Sequence, residues 1–351
     1  MSYCSKLVTT LKPYIPGELP ESPDIIKLNT NENPYPPSPK AIEAMRRAIN
    51  DDLRLYPDPE SRALKHAIAK RHGVDDDRVF AGNGSDEVLA LSFLAFCDPD
   101  APVRFFDITY SFYKVYASLF RLPANIIKLN DDFTVPLDKC LQNSGTLIFP
   151  NPNAPTTIAL SSDEVRFILE NNRDCVVIVD EAYSEFGSDT AIALLPEFEN
   201  LLVVRTASKS HALAGIRVGY AIGSPALIKS LDCVKNCFNS YPVDRVAQAG
   251  AEASMYDDEY TAAVLEKIKR TRDRAVLKLR EFGFACPDSS NNFLFVTHPK
   301  MNALDLAAEL KRRRILVRHF PAERIDNHLR ITVGTDEEME RLYSALGEIF
   351  S

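Results

Sequence analysis

Val176-Val-Ile-Val-Asp180-Glu-Ala-Tyr183 and Leu201-Leu-Val-Val-Arg205-Thr-Ala-Ser208-Lys209 are the two stretches that decide the fold. Each is a short, unbroken apolar run rich in β-branched residues that stops at a polar group. A strand with no polar alternation is buried on both faces, the mark of a parallel sheet between helices. Similar runs occur at Val103–Phe106, Thr146–Phe149 and Ile216–Ile222. Helical periodicity lies between and around them at Pro39–Ile49, Ser61–His72, Asp86–Phe96, Ser162–Asn171 and Pro225–Val234. Alternation of this kind predicts an α/β unit.

The pattern then changes. Val243–Phe282 reads as charge-laced helix with a break near Tyr256–Glu259. After it come short strands (Asn292–Thr297, Ile315–Val317, Leu329–Val333) and two amphipathic helices (Met301–Arg313, Asp336–Phe350), a smaller α+β unit. The proline-rich first 38 residues read as an extended arm. The expected division is an arm at 1–38, a large domain at 39–243 and a small C-terminal domain at 244–351.

Composition narrows the function. The 351 residues carry 41 basic and 49 acidic side chains, a net charge of −8, which argues against a nucleic-acid surface. There is no apolar run long enough to span a membrane, and Met1 to Lys12 lacks an apolar signal core. Seven scattered cysteines suggest reduced thiols in a cytoplasmic enzyme. Cys233 and Cys237 have helical spacing, but without flanking ligands they do not make a zinc site. No metal is expected.

In open α/β sheets the ligand lies beyond the carboxyl ends of the strands. Asp180 sits there, either aimed at a ligand or capping a helix. Lys209 follows the next strand, either as a loop lysine or as an amine placed for Schiff-base chemistry. Ser208 and Arg217 bracket it, and both can hold a phosphate. Gly82-Asn-Gly84-Ser85-Asp86 opens a helix, where free backbone N–H groups bind anions. It is neither a Walker loop nor a dinucleotide fingerprint, which disfavours a plain nucleotide-binding protein. Asn151-Pro-Asn153-Ala-Pro155-Thr-Thr157 and Phe106-Asp-Ile-Thr-Tyr110 also follow strands, as a stiff polar loop and a possible aromatic platform. Arg330, inside an apolar strand, needs an anionic partner, from protein or from substrate; Arg318 is a weaker second case. Of only 13 glycines, Gly82, Gly84, Gly215, Gly219, Gly223 and Gly334 fall in these stretches.

Taken in order, these motifs resemble the fold-type I pyridoxal-phosphate aminotransferases, in particular the histidinol-phosphate aminotransferase family. Tyr14-Ile-Pro-Gly17, Lys27-Leu-Asn-Thr-Asn31-Glu-Asn-Pro34 and Tyr56-Pro-Asp-Pro59 add to the likeness, which spans nearly the whole chain. The resemblance implies a mostly parallel seven-stranded sheet and a homodimer using pyridoxal 5'-phosphate.

It also implies roles. Lys209 would bond the cofactor, Asp180 would pair with the pyridinium nitrogen, Tyr183 would hydrogen-bond the 3-oxygen and Tyr110 would stack on the ring. Ser85, Asp86, Ser208 and Arg217 would hold the cofactor phosphate, and Tyr56 would reach the phosphate of the partner subunit. Arg330, with Arg318, would grip the substrate anion. Tyr14 and Asn31 would help line the substrate pocket. The implied reaction moves the amino group of L-histidinol phosphate to 2-oxoglutarate. Alternatives on the same scaffold are an aromatic amino-acid aminotransferase and a threonine-phosphate decarboxylase; a non-catalytic binding module is more remote. One departure stands out. The family loop carries an asparagine that contacts the 3-oxygen and ends in glycine, whereas here those positions are Ala154 and Thr157. Asn153 or Asn151 is the candidate substitute.

Overall fold

The computed structural model describes residues 3–141 and 144–351, so Met1 and Ser2 of the arm lie outside it. In chain order the first half contains β1 (Ile26–Leu28), α1 (Pro39–Ala48), α2 (Arg62–His72), β2 (Val79–Gly82), α3 (Gly84–Phe96), β3 (Val103–Phe106), α4 (Phe112–Leu119), β4 (Ala124–Ile127), β5 (Leu147–Pro150), α5 (Ser162–Glu170) and β6 (Val177–Asp180). There follow β7 (Leu201–Thr206), β8 (Gly219–Gly223), α6 (Pro225–Phe238), α7 (Arg245–Met255), α8 (Asp258–Glu281), β9 (Phe293–Val296), α9 (Ala303–Arg312), β10 (Ile315–His319), β11 (Leu329–Thr332) and α10 (Asp336–Phe350).

The large sheet has seven strands in the order β2-β8-β7-β6-β5-β3-β4. Only β8 runs against its neighbours. Every residue of β3, β5, β6 and β7 is buried, as their apolar runs require. Two apolar layers sandwich the sheet, one holding Phe149, Val177, Val179 and Val203, the other Ile148, Ile178, Leu202 and Val204. The alternation along each strand thus feeds both layers.

A second sheet of four strands, β1-β10-β11-β9, packs with α8, α9 and α10 around its own core. The arm contributes to it, since Ile26–Leu28 pairs in parallel with Ile315–Val317. The change of texture after residue 243 comes before the change of core. Ala247, Ala251 and Met255 of α7 bury themselves in the large-sheet core, and the helix packs on α1 and α2.

One sequence expectation needs correction. The strand expected over Ile216–Ile222 begins only at Gly219, because Arg217 has a left-handed φ of 52° that no strand tolerates. The helix Phe112–Leu119 is not among the helical stretches that the sequence periodicity picks out.

The ends of β6 and β7 are tied together. Arg205 donates through Nε and Nη2 to Glu181 Oε2 at 3.0 and 2.6 Å, and both side chains are buried. The Glu181 carboxylate also accepts from the Ala191 amide and the Thr190 hydroxyl. This pair sits one residue after Asp180 and four before Lys209. Removing one partner strands the other charge in the interior. Arg205→Met is therefore expected to cost about 3–5 kcal/mol in urea unfolding, and adding Glu181→Leu should recover much of it. Additive losses in the double variant would contradict this account.

Candidate active site

A cavity of about 320 Å³ opens at the carboxyl edge of the large sheet, between it, the arm and the small sheet. Its wall includes Asp180 from the end of β6, Ser208 and Lys209 beyond β7, and Ser85 and Asp86 at the start of α3. Arg217, Tyr110, Tyr183, Tyr14, Asn31, Arg318 and Arg330 complete the set gathered there.

Asp180 is buried. Its Oδ2 accepts from the Tyr113 hydroxyl at 2.8 Å and its Oδ1 from the Ala182 amide at 3.1 Å. It caps no helix. Burial pushes its pKa up to about 6 against these two hydrogen bonds. No basic side chain pairs with it among the described residues, so a cationic ligand group placed here would be stabilised.

The Lys209 amine donates to the Thr30 carbonyl at 3.2 Å. Burial, and then the positive charge of Arg330, lower its pKa to about 8. A substantial share of neutral, nucleophilic amine is present near neutral pH as a result. Asn33 holds the Lys209 and Ser210 carbonyls through its amide at 3.0 and 3.3 Å. Tyr183 accepts a hydrogen bond from Asn31 Nδ2 at 2.9 Å.

Backbone geometry builds an anion cradle next to them. Gly84 has φ +81°, and a Cβ there would lie 2.6 Å from Arg217 Nη2. A Cβ on Gly219 would fall 2.2 Å from the Ser85 nitrogen. These glycines let β8 and the start of α3 close up, leaving first-turn N–H groups facing the cavity. Arg217 donates to Ser208 Oγ at 3.3 Å and pairs with Asp86 at 3.2 Å. Tyr110 donates to Asp86 Oδ1 at 2.7 Å, which fixes its ring over the cavity. Gly215, by contrast, has open space where a Cβ would stand.

On the opposite wall, Arg318 and Arg330 are direct cross-strand partners in the β10–β11 register. Among the described residues neither forms an ion pair. Arg318 donates to the Ile15 and Pro16 carbonyls, and Arg330 donates to the Asn29 carbonyl at 2.8 Å. Arg330 Nε is buried with no partner, and its guanidinium stacks over Phe293 and Phe320. Two like charges facing each other across a ladder are destabilising unless an anion joins them. The cradle and this pair therefore make two anion positions, one on each side of Lys209.

Three expected site residues lie outside this chain's own cavity. Asn153 does not line the cavity, because its Nδ2 donates to the Ile108 carbonyl and Thr156 Oγ1. Asn151 is likewise spent on Leu160. Ala154 lines the cavity in their place. Tyr56 is exposed and stacks on Tyr241, with ring centroids 4.6 Å apart, away from its own protomer's cavity. Tyr113, Glu32 and Asn33 are functional neighbours that the linear motifs did not single out. Only the fold brings α4 under Asp180 or the arm over Lys209.

The arrangement of buried carboxyl, low-pKa lysine and phosphate cradle suits pyridoxal 5'-phosphate, and the sequence comparisons agree. The "Aminotransferase class I and II" family matches residues 23–346. A histidinol-phosphate aminotransferase 1 of Bordetella parapertussis is 54% identical, with 99% of each chain covered. A histidinol-phosphate aminotransferase of Clostridium acetobutylicum is 48% identical over 99% of this chain and 98% of its own. The chain belongs to the histidinol-phosphate aminotransferase family. Among solved structures, the Sinorhizobium meliloti histidinol-phosphate aminotransferase in complex with pyridoxal-5'-phosphate aligns at a TM-score of 0.87 and 25% identity, covering all of this chain and 98% of its own. Aspartate aminotransferase from Thermotoga maritima, 20% identical and covering 93% and 92% of the two chains, shares the fold at a TM-score of 0.81.

The lysine's setting gives a pH test. Only the neutral amine attacks an aldehyde, and folding lowers its pKa from 10.5 to about 8. When the cofactor-free enzyme is mixed with pyridoxal 5'-phosphate, the rate of colour formation should rise with pH and level off above about 8. A rise that continues past pH 10 would show that Lys209 lacks this environment.

Proposed function

We propose that this enzyme transfers the amino group of L-histidinol phosphate to 2-oxoglutarate, giving imidazole-acetol phosphate and L-glutamate, with pyridoxal 5'-phosphate as cofactor. The observation that carries the substrate reading is the carboxylate-free pair Arg318 and Arg330 facing the cavity of Lys209. Both substrates bring an anion, a phosphate ester or a carboxylate, and an arginine fork suits either. The likeness to relatives named for this activity over nearly their whole length supports the choice.

Each side chain then has a task. Asp180 would pair with the cofactor's ring nitrogen. The Ser85 and Asp86 amides, Ser208 and Arg217 would hold its phosphate. Tyr110 would lie against its ring and Tyr183 would serve its 3-oxygen. When bound, the cofactor supplies an electron sink for the breaking of a bond at the substrate carbon. The Lys209 amine, when neutral and free, would serve as the base that takes the proton from the substrate carbon. Arg330 and Arg318 orient the substrate, and Tyr14 closes over it. A second cavity of about 350 Å³ shares Tyr14, Tyr110 and Arg330 with the first and adds apolar walls from Phe105, Phe106 and Phe320, room for a flat side chain.

The assembly reading is a homodimer in the cytoplasm. Leu53, Leu55, Tyr56, Phe238 and Tyr241 are exposed, and the Tyr56–Tyr241 stack falls among them. Apolar groups this concentrated fit a surface covered by a second copy. In that arrangement Tyr56 of each protomer serves its partner's phosphate cradle. Among the described residues no helix is long and apolar enough to cross a membrane.

The discriminating experiment is a half-reaction screen. The yellow enzyme is mixed separately with histidinol phosphate, phenylalanine, tyrosine and threonine phosphate, and loss of the yellow band is followed. Histidinol phosphate should react fastest. Preference for an aromatic amino acid, or carbon dioxide release from threonine phosphate, would overturn the substrate reading. Lys209→Ala should abolish turnover and remain folded. Arg330→Ala should raise KM for both anionic substrates by about 10- to 100-fold, the weight of a hydrogen bond to a charged group. Unchanged KM would make Arg330 structural.

A further inference from the structure

Asn31 is buried and held at every polar atom. Its backbone takes a left-handed φ of 57°. Its amide N–H donates to Thr332 Oγ1 at 3.0 Å, and the Thr332 hydroxyl donates back to Asn31 Oδ1 at 3.2 Å. Its carbonyl accepts from Asn292 Nδ2 at 3.1 Å. The direction of the side-chain amide follows from this count. Thr332 Oγ1 already accepts the backbone proton, and its single proton needs an acceptor, so Oδ1 faces Thr332 and Nδ2 faces Tyr183. The reverse placement would leave the threonine proton without an acceptor.

The consequence falls on Tyr183. Its oxygen accepts from Asn31 at 2.9 Å, and its own proton has no acceptor among the described residues. It is left to donate into the cavity. Beside it stands Ala154, which has no amide to offer. We propose that Asn31 is a positioning residue that holds the Tyr183 hydroxyl as an obligatory donor to the cofactor's 3-oxygen, and so sets the acidity of the Lys209–cofactor nitrogen. The role compensates at one remove for the amide absent at position 154, and it rests on the cofactor reading above.

The sign follows from charge. A donor at the 3-oxygen stabilises its negative charge and competes with the proton on the neighbouring nitrogen for it. Weakening that donor strengthens the nitrogen's hold on its proton. Burial raises the Tyr183 pKa, with Arg330 and then the Asn31 hydrogen bond working against the rise. The other charged or titratable groups facing the pair are Asp180, Tyr14 and Tyr110 around Tyr183, and Glu32, Asp86 and Arg217 around Lys209. All are retained in the variants below.

The test is a pH titration of the visible absorption of the cofactor-loaded enzyme without substrate. Asn31→Gly keeps the left-handed backbone and deletes the amide. It should raise the midpoint of the yellow-band titration by about one pH unit, the scale of one hydrogen bond. Tyr183→Phe should raise it further. In the Tyr183→Phe background, Asn31→Gly should move it no more, because the amide acts only through the hydroxyl. Thr332→Val, which frees Oδ1, should shift the midpoint the same way by less, and it serves as the test if Asn31→Gly does not fold. An unmoved midpoint in Asn31→Gly, or an equal shift with Tyr183 absent, would overturn the proposal. A wild-type enzyme that never turns yellow would overturn the cofactor reading itself, a result distinct from an unmoved midpoint.

Discussion

Asp180 closes a strand buried on both faces, and its carboxyl accepts from Tyr113 and the Ala182 amide with no cation beside it. Burial in that state penalises the carboxylate and raises its pKa to about 6. A positively charged ring nitrogen would remove that penalty. The rest of the site can be read from this unmet demand. Lys209 is made partly neutral by the same burial that holds Asp180 partly protonated. The Arg205–Glu181 pair beneath them satisfies its own charges and leaves Asp180 and Lys209 for the ligand. A structural ion pair and a ligand-seeking pair of groups thus occupy adjacent positions on the same two strands.

The opposite wall follows the same logic with the sign reversed. Arg318 and Arg330 face each other across β10 and β11, lie against the rings of Phe293 and Phe320, and among the described residues donate only to arm carbonyls. Neutral carbonyls are weaker partners than an anion. A substrate anion bound by both arginines would compete with these carbonyls, while the arm stays anchored through the Ile26–Leu28 pairing with β10 and the Asn31–Thr332 hydrogen bonds.

The large sheet was legible because strands buried on both faces are apolar without alternation, and β3, β5, β6 and β7 have that pattern. Asp180, Lys209 and Arg330 were legible because each interrupts or ends such a run. The other parts depend on distance across the fold. Tyr113 looked like one aromatic among several until α4 placed it under Asp180. Asn153 reads as a ligand to the cofactor, but its amide nitrogen is taken by the Ile108 carbonyl and Thr156 Oγ1. Arg217 sat within an expected strand, and only its left-handed φ turns its guanidinium toward Ser208 and Asp86. Local pattern encodes burial well. It does not encode which buried polar groups satisfy one another.

Substrate choice is a separate layer from fold. An aspartate aminotransferase shares this fold at a TM-score of 0.81, so the architecture by itself does not choose the amino donor. The wall proposed to meet the substrate lies across the cavity from the cradle. Here that wall combines two adjacent arginines, an alanine at position 154 and the arm segment Asn29–Glu32. Three of these four contributions come from outside the large sheet. Thr332 and Arg330 belong to one short strand, so the arginine proposed to meet the substrate's anion and the threonine bonded to Asn31 are placed by the same segment of backbone.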